Sequence, residues 1–212
     1  MVGLDVIKRD CLPQGSETVF SNLSNNKYCG GIPMRKVTLY IAMSLDGFIA
    51  DKNSSVDWLS GDGSDPNNGG SYDEFIETVD TVILGYNTYH QVTTQLSPDE
   101  WVYKGKKSYV LTSKKIDSSE EIIFTNENPV VLINRLKQHD GKDIWVCGGA
   151  SIINQFIAND LIDHYCITVI PTILGGGIRL FAEQCEERKL KLLSTRIYNG
   201  MVDLVYECRQ EK

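Results

Sequence analysis

Apolar and polar positions change their period repeatedly along the chain, and each change marks an element. Val37-Thr38-Leu39-Tyr40-Ile41-Ala42-Met43 is rich in β-branched and aromatic residues and is closed by the turn pair Asp46-Gly47, which predicts a strand. Thr81 to Leu84, Ser108 to Thr112, Ile144 to Cys147 and His164 to Ile170 read as four further strands of the buried type. Helical spacing fills the gaps. Ser71-Tyr72-Asp73-Glu74 has the form of a capping box, with the Ser71 hydroxyl on one free N–H and Glu74 reaching back, and Phe75, Ile76 and Val79 then share a face. Pro129 to His139 predicts a helix stopped by Asp140-Gly141, and Ser151 to Asn159 one that buries Ile152, Ile153, Phe156 and Ile157. The ending differs: Leu190 to Tyr198 and Met201 to Cys208 flank Asn199-Gly200, a hairpin signal, because a type I′ turn needs positive φ twice. Strands alternating with helices, finished by a hairpin, predict an α/β sandwich with a mostly parallel central sheet.

Residues 1–33 lack any such period and are rich in Ser, Asn and Gly, so they read as a flexible or weakly docked leader before a domain spanning 34–212. Composition adds limits. With 21 Lys+Arg against 28 Asp+Glu, the net charge of −7 and the lack of a basic run argue against nucleic acid and anionic membrane as partners. No apolar stretch is long enough to span a bilayer, and Asp5, Lys8, Arg9 and Asp10 sit where a secretory signal would have its apolar core. The six cysteines, Cys11, Cys29, Cys147, Cys166, Cys185 and Cys208, form no Cys-x-x-Cys pair; Cys147 and Cys166 lie in apolar runs and read as buried small hydrophobes. A disulfide framework is disfavoured, no metal site is expected, and the cytoplasm is the expected compartment.

Candidate chemistry collects at strand ends. In open α/β sheets, ligands bind beyond the carboxyl ends of strands, where helix N-termini present free N–H groups. Gly85-Tyr86-Asn87-Thr88, Thr112-Ser113-Lys114, Gly148-Gly149-Ala150-Ser151 and Met43-Ser44-Leu45-Asp46-Gly47 each follow a strand, and two of these turns carry glycines that allow close approach of a phosphate. No Gly-x4-Gly-Lys-Ser/Thr is present, which argues against a P-loop enzyme. Gly175-Gly176-Gly177 lacks the third glycine and the later acidic residue of a Rossmann fingerprint. His90, His139 and His164 are dispersed, so neither a catalytic triad nor a metal cluster emerges.

These residues carry a resemblance. Ala42-Met43-Ser44-Leu45-Asp46-Gly47-Phe48-Ile49-Ala50, Asp57-Trp58-Leu59, Gly85-x-x-Thr88-Tyr89, Ile144 to Ser151 and Pro171-x-x-Leu174-Gly175-x-Gly177-x-x-Leu180-Phe181 follow in the order of the dihydrofolate reductase superfamily. They are most similar to the branch containing the reductase domain of the bifunctional riboflavin-biosynthesis deaminase-reductase. The resemblance covers Met34 to Lys212 and implies a three-layer α/β sandwich and a nicotinamide-dependent reductase, usually using NADPH. It implies that Ala42 and Met43 pass beside the nicotinamide, that Gly85, Tyr86, Asn87 and Thr88 hold phosphates, and that Leu111, Thr112, Ser113 and Lys114 line the adenosine side. Gly148, Gly149, Ala150, Ser151 and Ile152 would wrap the pyrophosphate. Many members pair as dimers, so a homodimer is expected, with the terminal hairpin offering an apolar surface.

One departure bears on the cofactor. The family often has Arg after the glycine at 85, suited to the adenosine 2′-phosphate; here Tyr86 brings no charge, Lys114 is a cation that compensates, and NADH stays open beside NADPH. Hydride transfer also needs a proton source. Asp73, near the start of the first helix, and Asp46, after the first strand, are the two candidates; Asp73 fits equally a helix-dipole partner and Asp46 a plain Asp-Gly turn. Ser44, Asp46, Trp58, Tyr89 and Arg179 are the candidate substrate contacts, Trp58 and Tyr89 by stacking and Arg179 through a phosphate. The function expected is reduction of a small planar heterocycle or carbonyl compound, of the 5-amino-6-(5-phosphoribosylamino)uracil reductase type. The rivals are a true dihydrofolate reductase and a non-catalytic binder of nicotinamide or folate-like ligands.

Overall fold

Parallel strands joined through helices and antiparallel strands joined through turns are segregated along the chain. The computed structural model describes residues 28–29, 32–183 and 186–209. In chain order the elements are β1 (Tyr28–Cys29), β2 (Ile32–Pro33), β3 (Val37–Ser44), β4 (Phe48–Ala50), α1 (Tyr72–Thr78), β5 (Val79–Gly85), α2 (Tyr86–Gln91), β6 (Lys107–Leu111), β7 (Ile122–Thr125), α3 (Pro129–Lys137), β8 (Asp143–Gly148), α4 (Ala150–Ala158), β9 (His164–Ile170), β10 (Ile178–Arg179), β11 (Leu190–Tyr198) and β12 (Met201–Cys208). A π-helical turn over Val92–Leu96 continues α2. They belong to two units, one holding Tyr40–Thr78 and the chain from His164 onward, the other Val79–Asp163 and the residues leading to Leu39.

Apart from the short β1–β2 ladder, the second unit is parallel. The first residues of β3 pair with β8, from Val37↔Ile144 to Leu39↔Val146. Strand β5 lies between β8 and β6, and β7 pairs with β6. Strands β5 and β8 are buried almost continuously, as expected of parallel strands covered on both faces. Helix α3 starts where Asn128 Oδ1 accepts from the Val130 N–H at 2.9 Å, with Pro129 in the first turn where its missing N–H does no harm. It buries Leu132, Ile133 and Leu136 and leaves Val131 exposed. Helix α4 buries Ile153, Phe156 and Ile157, while Ile152 is only half-buried.

The first unit is antiparallel where the hairpin predicts it. Strand β12 pairs with β11 from Leu190↔Cys208 to Tyr198↔Met201 and with β9 from Val202↔Val169 to Glu207↔His164. Asn199 at φ 46° and Gly200 at φ 72° make the expected turn. Strands β4 and β10 form a small separate antiparallel pair. Tyr40 stacks on Phe75 of α1, with ring centroids 4.3 Å apart, in this unit's core. The architecture is mixed α/β, with parallel pairing in the second unit and antiparallel C-terminal strands in the first.

Several local expectations are corrected. The capping box at α1 does not form: Ser71 gives its hydroxyl proton to Asp203, and Glu74 accepts from Arg196. The Ser71 hydroxyl is oriented by Asp203 and Tyr40, and the Glu74 carboxylate by the Arg196 guanidinium. Val79 opens β5 instead of extending the helical face. Of the expected leader, Tyr28–Cys29 and Ile32–Pro33 form a two-strand ladder, and the rest lies outside the described residues. Cys147, Cys166 and Cys208 are free thiols, the first two buried, whereas Cys11 and Cys185 lie outside the described residues.

The second unit is tied at one end by Arg35. This buried guanidinium donates from Nε to Lys142 O at 2.6 Å and from Nη2 to Asp80 and to Thr81 Oγ1, while Asp80 also accepts from the Lys142 N–H. Removing Arg35 takes the guanidinium from Lys142 O and Thr81 Oγ1, while Asp80, whose side chain is 39% exposed, keeps water. Arg35→Met should lower the unfolding free energy in urea melts by about 2 kcal/mol, the loss of buried hydrogen bonds. Lys191→Ala, which breaks an exposed pair with Glu207, should cost less than about 1 kcal/mol. Equal small losses from both would refute this weighting.

Candidate functional site

The second unit brings three strand ends level. The ladder from Thr81↔Lys107 to Gly85↔Leu111 and the pair Leu84↔Gly148 set the carboxyl ends of β5, β6 and β8 side by side. Helices α2 and α4 start at two of these ends, with Gly85 and Gly149 as N-caps. Glycine has no side chain to satisfy first-turn N–H groups, so those donors and the positive end of each helix dipole remain available to an anion. Space is tight here. A Cβ at Gly85 would lie 3.0 Å from Ile152 Cγ1, and one at Gly149 would lie 3.1 Å from Thr88 Oγ1. Gly148 sits at φ 140°, a conformation that favours glycine, and joins Gly149 through a cis peptide. The expected cofactor residues Gly85 to Thr88, Leu111 to Lys114 and Gly148 to Ile152 therefore gather at one end of this unit's sheet.

Charge arrives from the loop after β6. The Lys114 N–H donates to Thr112 Oγ1 at 3.1 Å, and Lys114 Nζ lies 3.7 Å from the centroid of the Tyr86 ring. The cation that the sequence lacks at position 86 thus stands on that residue's ring. Tyr89 is placed differently from a stacking platform. Its ring packs edge-on to Phe124 at 5.0 Å and against Trp101 at 5.6 Å, within a cluster that continues through Tyr103 to Trp145. Its surroundings are those of a packing residue.

In the first unit, Asp46 organises the turn after β3. Ser44 Oγ donates to Asp46 Oδ1 at 2.6 Å; the Leu174 N–H donates to Oδ1 at 3.1 Å and the Gly175 N–H to Oδ2 at 2.7 Å. These donors, the Ser44 hydroxyl foremost, hold the Asp46 carboxyl down at about 2. It is therefore ionised near neutrality and acts as an acceptor, which argues against Asp46 as a proton donor. The staple brings Ser44 and Asp46 to the loop that leads to Arg179, whose guanidinium lies 4.7 Å from the centroid of the Phe48 ring. Gly177 packs on β4 so closely that a Cβ would meet Ala50 O at 2.1 Å, so the glycine run is shaped by backbone contact. Trp58 is half-buried and donates from Nε1 to Ser55 O at 3.2 Å. Ala42 is buried in β3, Met43 is half-buried, and Asp73 is exposed in the first turn of α1.

Two residues escaped the sequence reading. Lys52 lays its Cε against Gly176, and no motif pointed to it. Asp203 is a carboxylate at an inward position of β12, between buried Met201 and Val205. Its signal was legible as a charge that breaks an alternating strand on the apolar side. Among the described residues no His/Cys/Asp/Glu group has a metal-holding arrangement, and no helix is long and apolar enough to cross a membrane.

Comparisons with known proteins agree with this layout. The family model for the RibD C-terminal domain matches residues 35–204. YwjB of Bacillus subtilis strain 168, itself uncharacterized, is 45% identical over 173 residues, or 81% of this chain and 97% of that protein. A solved Shewanella sp. PV-4 protein, described as a riboflavin biosynthesis protein, aligns with a TM-score of 0.71 at 29% identity, covering 82% of this chain and 99% of that one. Dihydrofolate reductase from Enterococcus faecalis, solved with NADP(H), aligns with a TM-score of 0.58 over 82% of this chain and 97% of its own; at 14% identity this likeness is one of fold.

The Asp46 staple has a pH signature. A carboxyl held at about 2 when folded and near 3.8 when free contributes stability that is present above the higher value and is lost as pH falls through the lower one. The melting temperature of wild type should exceed that of Asp46→Asn at pH 6, and the gap should close on acidification across that window. A gap that does not change with pH would show that the carboxylate charge is not what holds the loop.

Proposed function

Because the chain belongs to the RibD C-terminal domain family, we propose that it is a reductase that uses NADPH to reduce a small planar heterocyclic or carbonyl substrate, of the 5-amino-6-(5-phosphoribosylamino)uracil reductase type. The observation that carries this reading is the level row of strand ends in the second unit, with a glycine-capped helix start at two of them. A chain of net charge −7 repels a polyanion at long range, so binding must come from local N–H donors and a few well-placed cations.

The residues fit a dinucleotide. Gly148 to Ile152 would hold the pyrophosphate and Gly85 to Thr88 the neighbouring phosphate, with no Cβ in the way at Gly85 or Gly149. Leu111, Thr112 and Ser113 would line the adenosine, and Ala42 and Met43 would flank the nicotinamide. When bound, NADPH supplies the hydride. Tyr86 offers a ring for the adenine, and Lys114, seated on that ring, offers the positive charge a 2′-phosphate needs. On the substrate side, Asp46 fixes the loop by accepting from Leu174 and Gly175, and Arg179 is the cation there for a substrate phosphate.

Titration of the purified protein with NADPH and NADH, by calorimetry and tryptophan fluorescence, tests the reading. NADPH should bind more tightly than NADH. Lys114→Ala should weaken NADPH roughly tenfold and leave NADH unchanged, the effect of losing one charge-assisted contact. Binding of neither nucleotide would sink the proposal. NADPH oxidation should be supported by a phosphorylated ribosylaminopyrimidine and lost when its phosphate is removed, whereas turnover of dihydrofolate alone would make the chain a dihydrofolate reductase.

A further inference from the structure

The sheet of the first unit has a side whose chemistry runs against its exposure. Antiparallel partners point to the same side of a sheet, so the register of β9, β12 and β11 sorts their residues into rows. Val169, Val202 and Ile197 make one row, Ile167, Leu204 and Thr195 the next, and Tyr165, Tyr206 and Leu192 the third. Cys208 and Leu190 extend this face at one end, and the register shift between Leu192 and Ser194 keeps Leu192 opposite Tyr206. The intervening rows belong to the other side: Thr168, Asp203 and Arg196 form one, and His164, Glu207 and Lys191 another. The charged residues of β11 and β12, which are Lys191, Arg196, Asp203 and Glu207, thus all lie on the side that meets α1, where Arg196 reaches Glu74.

The opposite side has no charged residue in these rows, and it opens to water. Exposure rises outward from β9: Tyr165 and Ile167 are buried, Leu204 and Tyr206 half-buried, and Leu192 and Ile197 are 50% and 76% exposed. A sheet covered on one side ordinarily turns its charges to water and its apolar residues inward. Here the charges sit on the covered side, and contiguous apolar residues face out, which marks a contact surface. Among the described residues β11 ends the sheet, so no further strand stands beside Leu192 and Ile197. Charge identifies the occupant. The rows hold no cation to grip an anionic lipid surface, which a chain of net charge −7 repels. An uncharged apolar face is complementary to another of its kind, and a second copy of the chain brings one. Two copies of −7 repel at long range, so the surface between them has to be free of like charge, and these rows supply it.

We propose that two copies of this chain associate through this face, sheet on sheet about a two-fold axis. Each copy buries Val202, Leu204 and Tyr206 of β12 and Leu192, Thr195 and Ile197 of β11 against the same residues of the other. The rows of Asp203 and Glu207 stay on the far side of each sheet, away from the contact. The inference uses no cofactor or substrate residue and stands apart from the reductase reading.

Sedimentation equilibrium of the full chain at micromolar concentrations tests this. Wild type should approach twice 23.8 kDa. Added sodium chloride should tighten the association, because it screens the repulsion between two −7 copies while the contact itself holds no ion pair. Thr195→Arg and Ile197→Glu each place a charge in the face at a position exposed in the single copy, so both should keep the wild-type far-ultraviolet circular dichroism. Each should weaken association about a hundredfold, since every dimer would bury two such charges. Lys191→Ala, on the other side of the sheet, should leave association unchanged. A wild type of single-copy mass would overturn the proposal, as would a dimer that survives both substitutions or that salt dissociates. A single-copy wild type that floats with phosphatidylcholine vesicles, and stops doing so with Ile197→Glu, would overturn it by assigning the face to lipid. Should one variant fail to fold, the other and the salt series decide.

Discussion

The parallel register of β5, β6 and β8 is the constraint on which the second unit's chemistry depends. Parallel pairing runs all three strands in the same direction, and pairing Gly85 with Leu111 and Leu84 with Gly148 makes them end together. A one-residue slip would turn each buried side chain to the opposite face. It would also separate Gly85 from Ile152 and Gly149 from Thr88, the contacts that set the two helix starts against each other. The buried apolar residues of β5 and β8 hold that register, so the packing that stabilises this unit also aligns its N–H donors. Arg35 closes the opposite end, where its four donated hydrogen bonds gather Asp80, Thr81, Leu136 and Lys142.

Three carboxylates in the first unit show how surroundings sort one functional group into different tasks. Asp46 is ringed by N–H and O–H donors at the surface and is pulled toward its charged form, which suits a staple. Asp73 faces solvent in the first turn of α1, where it complements the helix dipole. Asp203 also accepts three hydrogen bonds, yet burial outweighs them and the proton is retained more strongly. The number of donors does not separate Asp46 from Asp203; the water around them does.

Much of the fold was legible, because it rests on period. The strands at Val37, Thr81, Ser108, Ile144 and His164, the helices at Pro129 and Ser151, and the Asn199-Gly200 hairpin all carry patterns that packing then enforces. Strand β7 escaped because Ile122-Ile123-Phe124-Thr125 is a short apolar run with no turn signal of its own, and β4 and β10 because each is too short to show alternation. The capping box failed for a different reason. Its residues are of the right type at the right spacing, but Ser71 and Glu74 find other partners in Asp203 and Arg196, which lie far along the chain. Tyr89 likewise has the right chemistry for stacking, and its ring packs instead against Phe124 and Trp101.

Two groups are supplied from elsewhere in space, one of them the cation that the sequence motif lacks. Position 86 carries no arginine, and the cation above it comes from Lys114, a residue that follows the neighbouring strand β6. The head of α1 carries Asp73 turned to solvent, and the buried carboxylate there comes from Asp203 on β12. In both cases a place that calls for a charge is indifferent to which strand delivers it. Motif comparison reads one column at a time, so such an exchange looks like a loss. The contacts of Tyr86 and Ser71 show where those two groups come from.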